Sequence, residues 1–354
     1  MKTTWSEVIV GLLCTTVPGG VLAQIPSVPP VPCGNACVRT EALKPRFFPD
    51  LQSGRVLAKY GPLAVPSMNQ NHGMRSYQFE IPAPCEDCTI THAVADVEFA
   101  NGAYANANTS MWLHHLVVAN SNRTSVTCDS LPELPFASGN ERTPVSISVG
   151  GTKRAGYPIK KGEKFFLIAE LMNEARSAKE VLVNIDWEFV KSPPADFKAV
   201  TPVWLDVDGS CLPHGGEVPI PANASVFNLA MNPPWKANFS AEVLWVIPHL
   251  HDGGESLKVV KNNVVTCDSL PGYGETPGFR TPEVEHGHHD GMAKRHEEMQ
   301  HISSMTVCDK IQRIEAGDTW GVKADYNLTK HAPQGEGDHL APVMGIAILF
   351  VVKD

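Results

Sequence analysis

The sequence lacks any long apolar run that could cross a lipid bilayer. Its most apolar stretch near the start, residues 8–14, is far shorter than the roughly 20 residues that a membrane-spanning helix requires. This stretch follows Lys2 and is closed by small residues and the tripeptide Val21-Leu22-Ala23, a pattern typical of a cleavable secretory signal. We therefore expect residues 1–23 to be a signal peptide, the chain to be secreted and no transmembrane anchor to be present. An N-terminal anchor helix is the alternative.

The sequence also has fewer basic than acidic residues. The chain has 29 Lys and Arg residues against 38 Asp and Glu residues, which gives a net charge of −9. Nucleic acids and anionic membranes both attract a basic face, so neither is an expected partner. A small molecule or another extracellular substrate remains as the class of partner, and the sequence does not identify it.

Cysteine is sparse, but its number is informative. Cys14 lies in the predicted signal, so eight cysteines remain in the mature chain: Cys33, Cys37, Cys85, Cys88, Cys128, Cys211, Cys267 and Cys308. An even number in an oxidising compartment favours disulfides, although their pairing cannot be read from the sequence. The close pairs Cys33/Cys37 and Cys85/Cys88 also have the spacing of zinc or redox motifs. Secretion of the chain makes that interpretation of the two pairs less favourable than disulfides. Asn-x-Ser/Thr sequons predict a glycoprotein, at Asn108, Asn122, Asn223, Asn238 and Asn327.

Helix signals are few, and short strands dominate the predicted structure. Four runs rich in β-branched and aromatic residues are bounded by Gly, Pro, Asn or Asp: residues 164–170, 181–189, 243–247 and 344–352. The 28 glycines and 29 prolines are spread along the chain, as in β proteins with many turns. We predict an all-β fold of two tandem antiparallel β-sandwich (jelly-roll-like) domains rather than a closed barrel. Residues 290–305 are the best candidate for a helix.

A chain of 354 residues suits two domains better than one, and a repeated segment supports a duplication. The heptapeptide Val-Thr-Cys-Asp-Ser-Leu-Pro occurs at residues 126–132 and again at 265–271, each time after a pair of histidines. Paired prolines at Pro193 and Pro194 suit a linker. We predict an N-terminal extension with Cys33 and Cys37 at 24–84, a first domain at 85–191, a linker at 192–198 and a second domain at 199–354 that includes a His/Met-rich insertion at 283–305.

Two histidine pairs are the candidate functional residues. His249 and His251 stand at i and i+2 after an apolar run, a spacing that places both imidazoles on one face of a strand. Two surface histidines at a strand end are the alternative for that motif. His114 and His115 are adjacent, so both could bind one metal only at a β-bulge or a strand end. A single core histidine with a hydrogen-bond partner is the alternative there.

Together with a distant methionine, these pairs resemble a known family. The segments Trp112-Leu-His-His-Leu-Val-Val118, Pro248-His-Leu-His-Asp-Gly-Gly254 and Met344-Gly-Ile-Ala-Ile-Leu-Phe350 resemble the peptidylglycine α-hydroxylating and dopamine β type of copper monooxygenases. A closer resemblance is to the fungal branch of the stress-up-regulated Nod19 type of domain, through the same histidine motifs and residues 136–143. The resemblance covers residues 89–352, and within it only the histidine motifs and Met344 are specific.

The resemblance implies two copper ions. His249, His251 and Met344 would hold the copper that activates dioxygen. His114 and His115 would belong to a second copper that passes electrons, with ascorbate or another reductant as the electron source. Two imidazoles and a thioether suit soft Cu(I), whereas harder divalent ions have little use for the sulfur. Taken alone, Met344 would be an ordinary core methionine.

The sequence departs from that family in two places. The third histidine of the electron-passing copper is missing, and the matching stretch at residues 168–173 offers only Met172 as a soft substitute. The arginine that the family's peptide hydroxylases place before His-x-His is replaced by Ile247, and Ile346 and Ile348 stand where polar residues are expected. The sequence therefore predicts an apolar pocket and argues against glycine-extended peptides as substrates.

Three functional hypotheses follow from these patterns. The first is a secreted copper-dependent oxidoreductase of the monooxygenase type that acts on an apolar substrate. The second is a non-catalytic secreted copper binder, favoured by the missing histidine and by the insertion at 283–305, which holds five histidines and three methionines. That insertion could equally be a solvated segment without a specific role. The third hypothesis is a structural extracellular β-sandwich with vestigial histidines.

Overall fold

The computed structural model describes residues 38–211, 216–281, 299–308, 311–336 and 339–354. The predicted signal peptide at 1–23, Cys33 and Cys37, and most of the insertion at 283–305 lie outside these residues. The described chain consists of β-strands and connecting segments, with short 3-10 turns at Asn71–Gly73, Ala107–Thr109 and Pro277–Phe279. The predicted all-β sandwich class is confirmed.

The strands fall into two series along the chain. Those before the predicted linker are β1 (Val38–Leu43), β2 (Ser53–Val65), β3 (Met74–Ile81), β4 (Cys88–Phe99), β5 (Met111–Thr124), β6 (Pro132–Gly139), β7 (Ala155–Ile159), β8 (Phe165–Asn173) and β9 (Lys179–Lys191). Those after it are β10 (Lys198–Asp206), β11 (Val226–Ala230), β12 (Trp235–Lys236), β13 (Ala241–Leu250), β14 (Gly254–Lys261), β15 (Val264–Ser269), β16 (Pro271–Tyr273), β17 (Arg280–Thr281), β18 (Met299–Gln300), β19 (Ile302–Met305), β20 (Thr319–Asn327), β21 (Gly335–Glu336), β22 (His339–Leu340) and β23 (Gly345–Lys353). The four predicted strand runs coincide with β8, β9, β13 and β23, so these predictions are confirmed.

Three larger sheets organise these strands. The longest has the order β1-β2-β9-β4-β7-β10-β23-β13, and a four-stranded sheet has the order β3-β8-β5-β6. A further sheet has the order β11-β20-β14-β15, with β12 also paired to β20. The longest sheet runs across the predicted linker, because β10 pairs in parallel with β7 and antiparallel with β23. The division into domains at 85–191 and 199–354 stays a prediction.

Strand β23 is apolar along its length because both of its faces are buried. Met344, Ile346, Ile348 and Phe350 lie in one hydrophobic core, shared with the strands of the first series. Ala347, Leu349 and Val351 lie in a second core, between β10, β13 and β23 and the sheet that contains β14 and β20. Successive side chains of a strand point to opposite faces, so a strand that lies between two cores reads as a continuous apolar run.

The predicted helix at 290–305 is wrong for the part that the structure describes. Met299–Gln300 pairs with Arg280–Thr281, and Ile302–Met305 pairs with Pro271–Tyr273. Ile302 and Met305 are buried in the second core, so tertiary packing outweighs the local helix preference. Among the described residues, no helix is long and apolar enough to cross a membrane.

Three disulfides join described cysteines, which confirms the prediction that cysteines pair. They are Cys85–Cys88, Cys128–Cys211 and Cys267–Cys308. The second of them connects the two series of strands. The two copies of the heptapeptide carry Cys128 and Cys267 in different local structures, since the first copy forms a turn before β6 and the second forms β15 and the start of β16.

Candidate metal centre

A β-bulge in β5 brings adjacent histidines to the same place. Leu113 lies opposite Leu171 and His115 lies opposite Glu170, so His114 is an extra residue between two consecutive positions of β8. An extra residue interrupts the strict alternation of side chains, and adjacent residues can then approach one site. The ring centroids of His114 and His115 are 4.1 Å apart, so the bulge meets one of the two conditions under which the sequence allowed both to bind one metal.

The second histidine pair reaches the same region from β13. His249 lies opposite Ile346 of β23, and His251 follows directly after the last residue of β13. Ile247 and Ile346, which flank His249 along β13 and across to β23, lie in the core shared with the first series. His249 therefore faces the strands that carry His114 and His115.

Three of the four histidines form one candidate metal set, and the fourth lies beside it. One ring nitrogen from each of His114, His115 and His251 lies within 4.8 Å of the others, and all three residues are buried. The ring centroid of His249 lies 5.4 Å from those of both His115 and His251. The structure thus joins two pairs that the sequence assigned to different metal ions.

The hydrogen bonds of His115 and His251 leave two lone pairs facing each other. His115 donates from Nδ1 to Oε2 of Glu170 at 2.7 Å, and His251 donates from Nδ1 to the carbonyl oxygen of Pro342 at 2.7 Å. A neutral imidazole carries one N–H, so both Nε2 atoms are acceptors, and they stand 2.9 Å apart. Two acceptors at that distance repel unless a cation or a proton lies between them. Outward hydrogen bonds of this kind are the usual support of metal-binding histidines.

Burial keeps these two imidazoles in the neutral form that binds metals. Loss of hydration lowers the pKa of His115 and of His251 well below the ordinary histidine value, and the neighbouring histidines lower both further. A neutral ring offers a lone pair, and a protonated ring does not. The donor set therefore fits a metal ion that prefers nitrogen ligands.

His249 differs in its electrostatic surroundings. Its Nδ1 lies 3.0 Å from Oε1 of Glu141, while its Nε2 is buried without a hydrogen-bond partner among the described residues. Burial alone would lower the pKa of His249, but the carboxylates of Glu141, Asp206 and Asp252 together outweigh burial and raise it. An unpaired buried ring nitrogen is costly, and a metal ion would satisfy it.

Gly139 leaves the space that the His249 ring occupies. A Cβ atom at Gly139 would lie 2.3 Å from Cε1 and 2.6 Å from Nδ1 of His249. We expect Gly139→Ala to displace this ring and to weaken metal binding by at least about tenfold, the lower end of the loss seen when a ligand's support is disturbed. Isothermal titration with copper would measure it. Gly321→Ala is the matched control, because its Cβ would meet nothing closer than 3.5 Å. Equal affinity of both variants would contradict the expected role of Gly139.

Met344 lies next to this cluster through the backbone. The hydroxyl of Tyr326 accepts a hydrogen bond from the backbone N–H of His251 at 3.1 Å and donates one to the carbonyl oxygen of Met344 at 2.5 Å. Leu250, the last residue of β13, is paired with Gly345, the first residue of β23. His251 and Met344 are the residues directly beyond these two strand ends. The Met344 side chain is buried in the core shared with Ile247 and Ile348. Its role as a ligand stays a prediction.

The substitute ligand considered for the missing histidine lies in a different setting. Met172 is paired with Trp112 and packs in a small apolar cluster with Ala107, Trp112 and Met74. Glu170, two residues earlier, is the residue of β8 that contacts His115. Within residues 168–173, where the sequence offered Met172 as a substitute ligand, the residue that contacts the histidines is therefore a carboxylate.

Sequence reasoning missed the carboxylates that surround the histidines. Glu141 and Glu170 contact His249 and His115, and Oε1 of Glu217 lies 3.6 Å from Nε2 of His114. Asp252, directly after His251, accepts a hydrogen bond from Nδ1 of His301 at 2.7 Å. In the sequence, the position of Asp252 directly after the His-Leu-His motif was the one local indication of a carboxylate near the histidines.

The comparisons with known proteins agree with this donor set. No family model matches the chain. It is 33% identical over 299 residues to the probable copper-dependent oxygenase M1 of Phoma sp., covering 83% of this chain and 72% of that protein. It is 32% identical over 263 residues to the probable copper-dependent oxygenase clz3 of Cochliobolus lunatus, covering 73% of this chain and 78% of that protein.

Likenesses to solved structures are weaker. PNGF-II gives a TM-score of 0.40 at 9% identity, covering 89% of this chain and 66% of that chain. PNGase F, a glycosylasparaginase from Flavobacterium meningosepticum, gives a TM-score of 0.38 at 13% identity, covering 85% of this chain and 96% of that chain. At these values neither likeness bears on function.

Proposed function

The chain belongs to the family of these probable copper-dependent oxygenases, and from that premise we propose that it is a secreted, monooxygenase-type oxidoreductase with one copper centre. The observation that carries the proposal is the 2.9 Å contact between Nε2 of His115 and Nε2 of His251, both of which are acceptors. His114 and His249 complete the nitrogen set, and Met344 is the proposed thioether ligand. Copper, when bound, would supply the one-electron chemistry that dioxygen activation requires.

The protein's own residues hold and orient this centre. Glu170 and Pro342 fix the rings of His115 and His251 so that each Nε2 points inward. Glu141 holds the ring of His249 through Nδ1, which leaves its Nε2 for a metal ion. Both halves of the chain contribute ligands, and copper would therefore join them at one point.

The apolar side chains that flank His249 support an apolar substrate. Ile247, Ile346 and Ile348 lie in one core cluster and are 2–6% exposed, and Ile346 is directly opposite His249. None of the three side chains can hold a substrate carboxylate, so glycine-extended peptides stay disfavoured. The proposed reaction inserts one oxygen atom of dioxygen into a C–H bond. The other oxygen leaves as water with two protons and two electrons, for which ascorbate is the proposed donor.

The remaining sequence predictions are part of the proposal. The disulfides support secretion and removal of residues 1–23. The histidine motifs and Met344 support distant kinship with the peptidylglycine α-hydroxylating and dopamine β type of monooxygenase and with Nod19-type domains. The departure from the former is that the four motif histidines lie together.

Non-catalytic copper binding is the second candidate function. The specific observation in its favour is that all four motif histidines lie together, which leaves no separate histidine pair among the described residues for an electron-passing copper. Storage or delivery of copper needs only one such centre. Residues 283–305, the other support for this hypothesis, lie mostly outside the described residues.

Oxygen uptake separates the two functions. We expect the copper-loaded protein with excess ascorbate and a panel of apolar substrates to consume dioxygen and to form hydroxylated product, measured by an oxygen electrode and mass spectrometry. His251→Ala should abolish both signals. Retention of copper without product from any substrate would favour binding alone, and failure to retain copper would leave the structural β-sandwich hypothesis.

A further inference from the structure

Two overlapping ligand sets share His114 and His115. The inner set adds His251 and is fully buried, whereas the outer set adds Glu170 and Glu217, both half-buried. In each set, one possible ligand atom from every member lies within 4.8 Å of the others. The sets differ in chemistry, because the inner one offers only nitrogen and the outer one offers two nitrogens and two carboxylate oxygens.

The position of Glu217 suits a ligand better than a hydrogen-bond partner. Its Oε1 lies 3.6 Å from Nε2 of His114, which is too long for a hydrogen bond. Two ligand atoms each about 2.0 Å from one ion in tetrahedral directions would be about 3.3 Å apart. Glu170 instead accepts a hydrogen bond at 2.7 Å from Nδ1 of His115, so it supports the ring whose Nε2 faces His251. Glu217 is therefore the carboxylate of the outer set whose distance suits a ligand.

The two oxidation states of copper prefer different members of this group. Cu(I) is soft and suits a small set of nitrogen or sulfur ligands, while Cu(II) favours tetragonal sets of nitrogen and oxygen. Carboxylates also stabilise a doubly charged ion more than a singly charged one, since their attraction grows with the charge of the ion. The inner set therefore suits Cu(I), and the addition of a carboxylate oxygen to it suits Cu(II).

We propose that Glu217 is an oxidation-state-specific ligand, which binds copper as Cu(II) and releases it as Cu(I), whereas Glu170 stays hydrogen-bonded to Nδ1 of His115 in both states. The inference rests on the proposed function, because it assumes that copper occupies the histidine cluster. The competing role is purely positional: Glu217 would only hold the ring of His114, as Glu170 holds that of His115. A positional role disturbs both oxidation states alike, whereas direct ligation of Cu(II) disturbs one of them.

The test measures the affinity for Cu(I) and for Cu(II) separately, with competing chelators, in Glu217→Gln and Glu170→Gln. We expect Glu217→Gln to bind Cu(II) at least about tenfold more weakly, as for other disturbed metal sites, and to bind Cu(I) within about threefold of the wild type. Glu170→Gln, which disturbs the support of His115, should weaken the binding of both ions alike. A tenfold increase in the ratio of the Cu(II) dissociation constant to the Cu(I) dissociation constant corresponds to a rise of about 59 mV in the reduction potential of the bound copper. Electron paramagnetic resonance of Cu(II) should change in Glu217→Gln as the carboxylate ligand is lost.

Matched variants make the outcome decisive. Glu80→Gln changes an exposed glutamate on β3, the strand next to β8, and should leave both affinities unchanged. His251→Ala removes the inner set and should weaken Cu(I) binding more than Cu(II) binding. Equal losses for both ions in Glu217→Gln, or no loss, would overturn the inference while leaving a copper protein. Absence of copper binding in the wild type would instead overturn the proposed function, and the inference with it.

Discussion

Replacing either His115 or His251 by alanine is expected to abolish tight copper binding. The two Nε2 atoms are 2.9 Å apart and belong to one cluster. Removal of either imidazole therefore takes away one of the two nitrogen acceptors that face each other in the described histidine motifs. Loss of an outer hydrogen-bond partner alone typically weakens a metal site 10- to 100-fold, so loss of a ligand should exceed about a hundredfold. We expect the wild type to retain one tight equivalent of copper and each single variant to retain none.

The measurement is anaerobic Cu(I) titration against a chelator, followed by metal analysis. The chelator removes weakly held ions, including any bound by residues 283–305. His72→Ala, which alters an exposed histidine in a turn far along the chain from these motifs, is the control. Two equivalents in the wild type and one in each variant would instead support separate centres, as the sequence alone suggested.

Loss of His301 is expected to destabilise the copper-free protein. Asp252 is 4% exposed and His301 1% exposed, and the Asp252 carboxylate accepts from Nδ1 of His301 at 2.7 Å and from the backbone N–H of Ile302 at 2.9 Å. His301→Ala would leave that carboxylate buried with one partner fewer. Breaking a buried pair on one side costs about 3–5 kcal/mol, and we expect a loss of about 3 kcal/mol in the free energy of unfolding.

Chemical denaturation of the copper-free protein measures this loss. The double variant Asp252→Asn/His301→Gln keeps two neutral partners in place of the pair and should be more stable than His301→Ala alone. A single variant as stable as the wild type would show that the pair adds nothing. Because Asp252 follows His251, the single variant should also weaken copper binding, and the double variant should weaken it less.

The elements of the fold were predictable because their signals are local. β8, β9, β13 and β23 are dense in β-branched and aromatic residues, and turn residues bound them. The sequence also indicated that His114 and His115 could bind one metal only at a bulge or a strand end. The failed helix at 290–305 shows the limit of local signals, since Ile302 and Met305 are buried through pairing with a distant strand.

The single centre was not predictable, because it depends on contacts between distant residues. His115 and His251 are 136 residues apart in sequence, and Glu141 is 108 residues from His249. Glu170 lies two positions before Met172, and nothing in the local sequence indicates that it contacts a histidine of the neighbouring strand. Only the relative placement of β5, β8 and β13 reveals which carboxylate supports which ring.

The two buried faces of β23 have a consequence for cooperativity. Ile348 helps to fill one core and Leu349 the other, so neither core can open without removing a wall of its neighbour. The free energies of opening of the two cores are therefore coupled, and the molecule should lose its structure in one transition despite its length. A copper ion held between His115 and His251 binds only the native state, and its binding free energy would stabilise both cores at once.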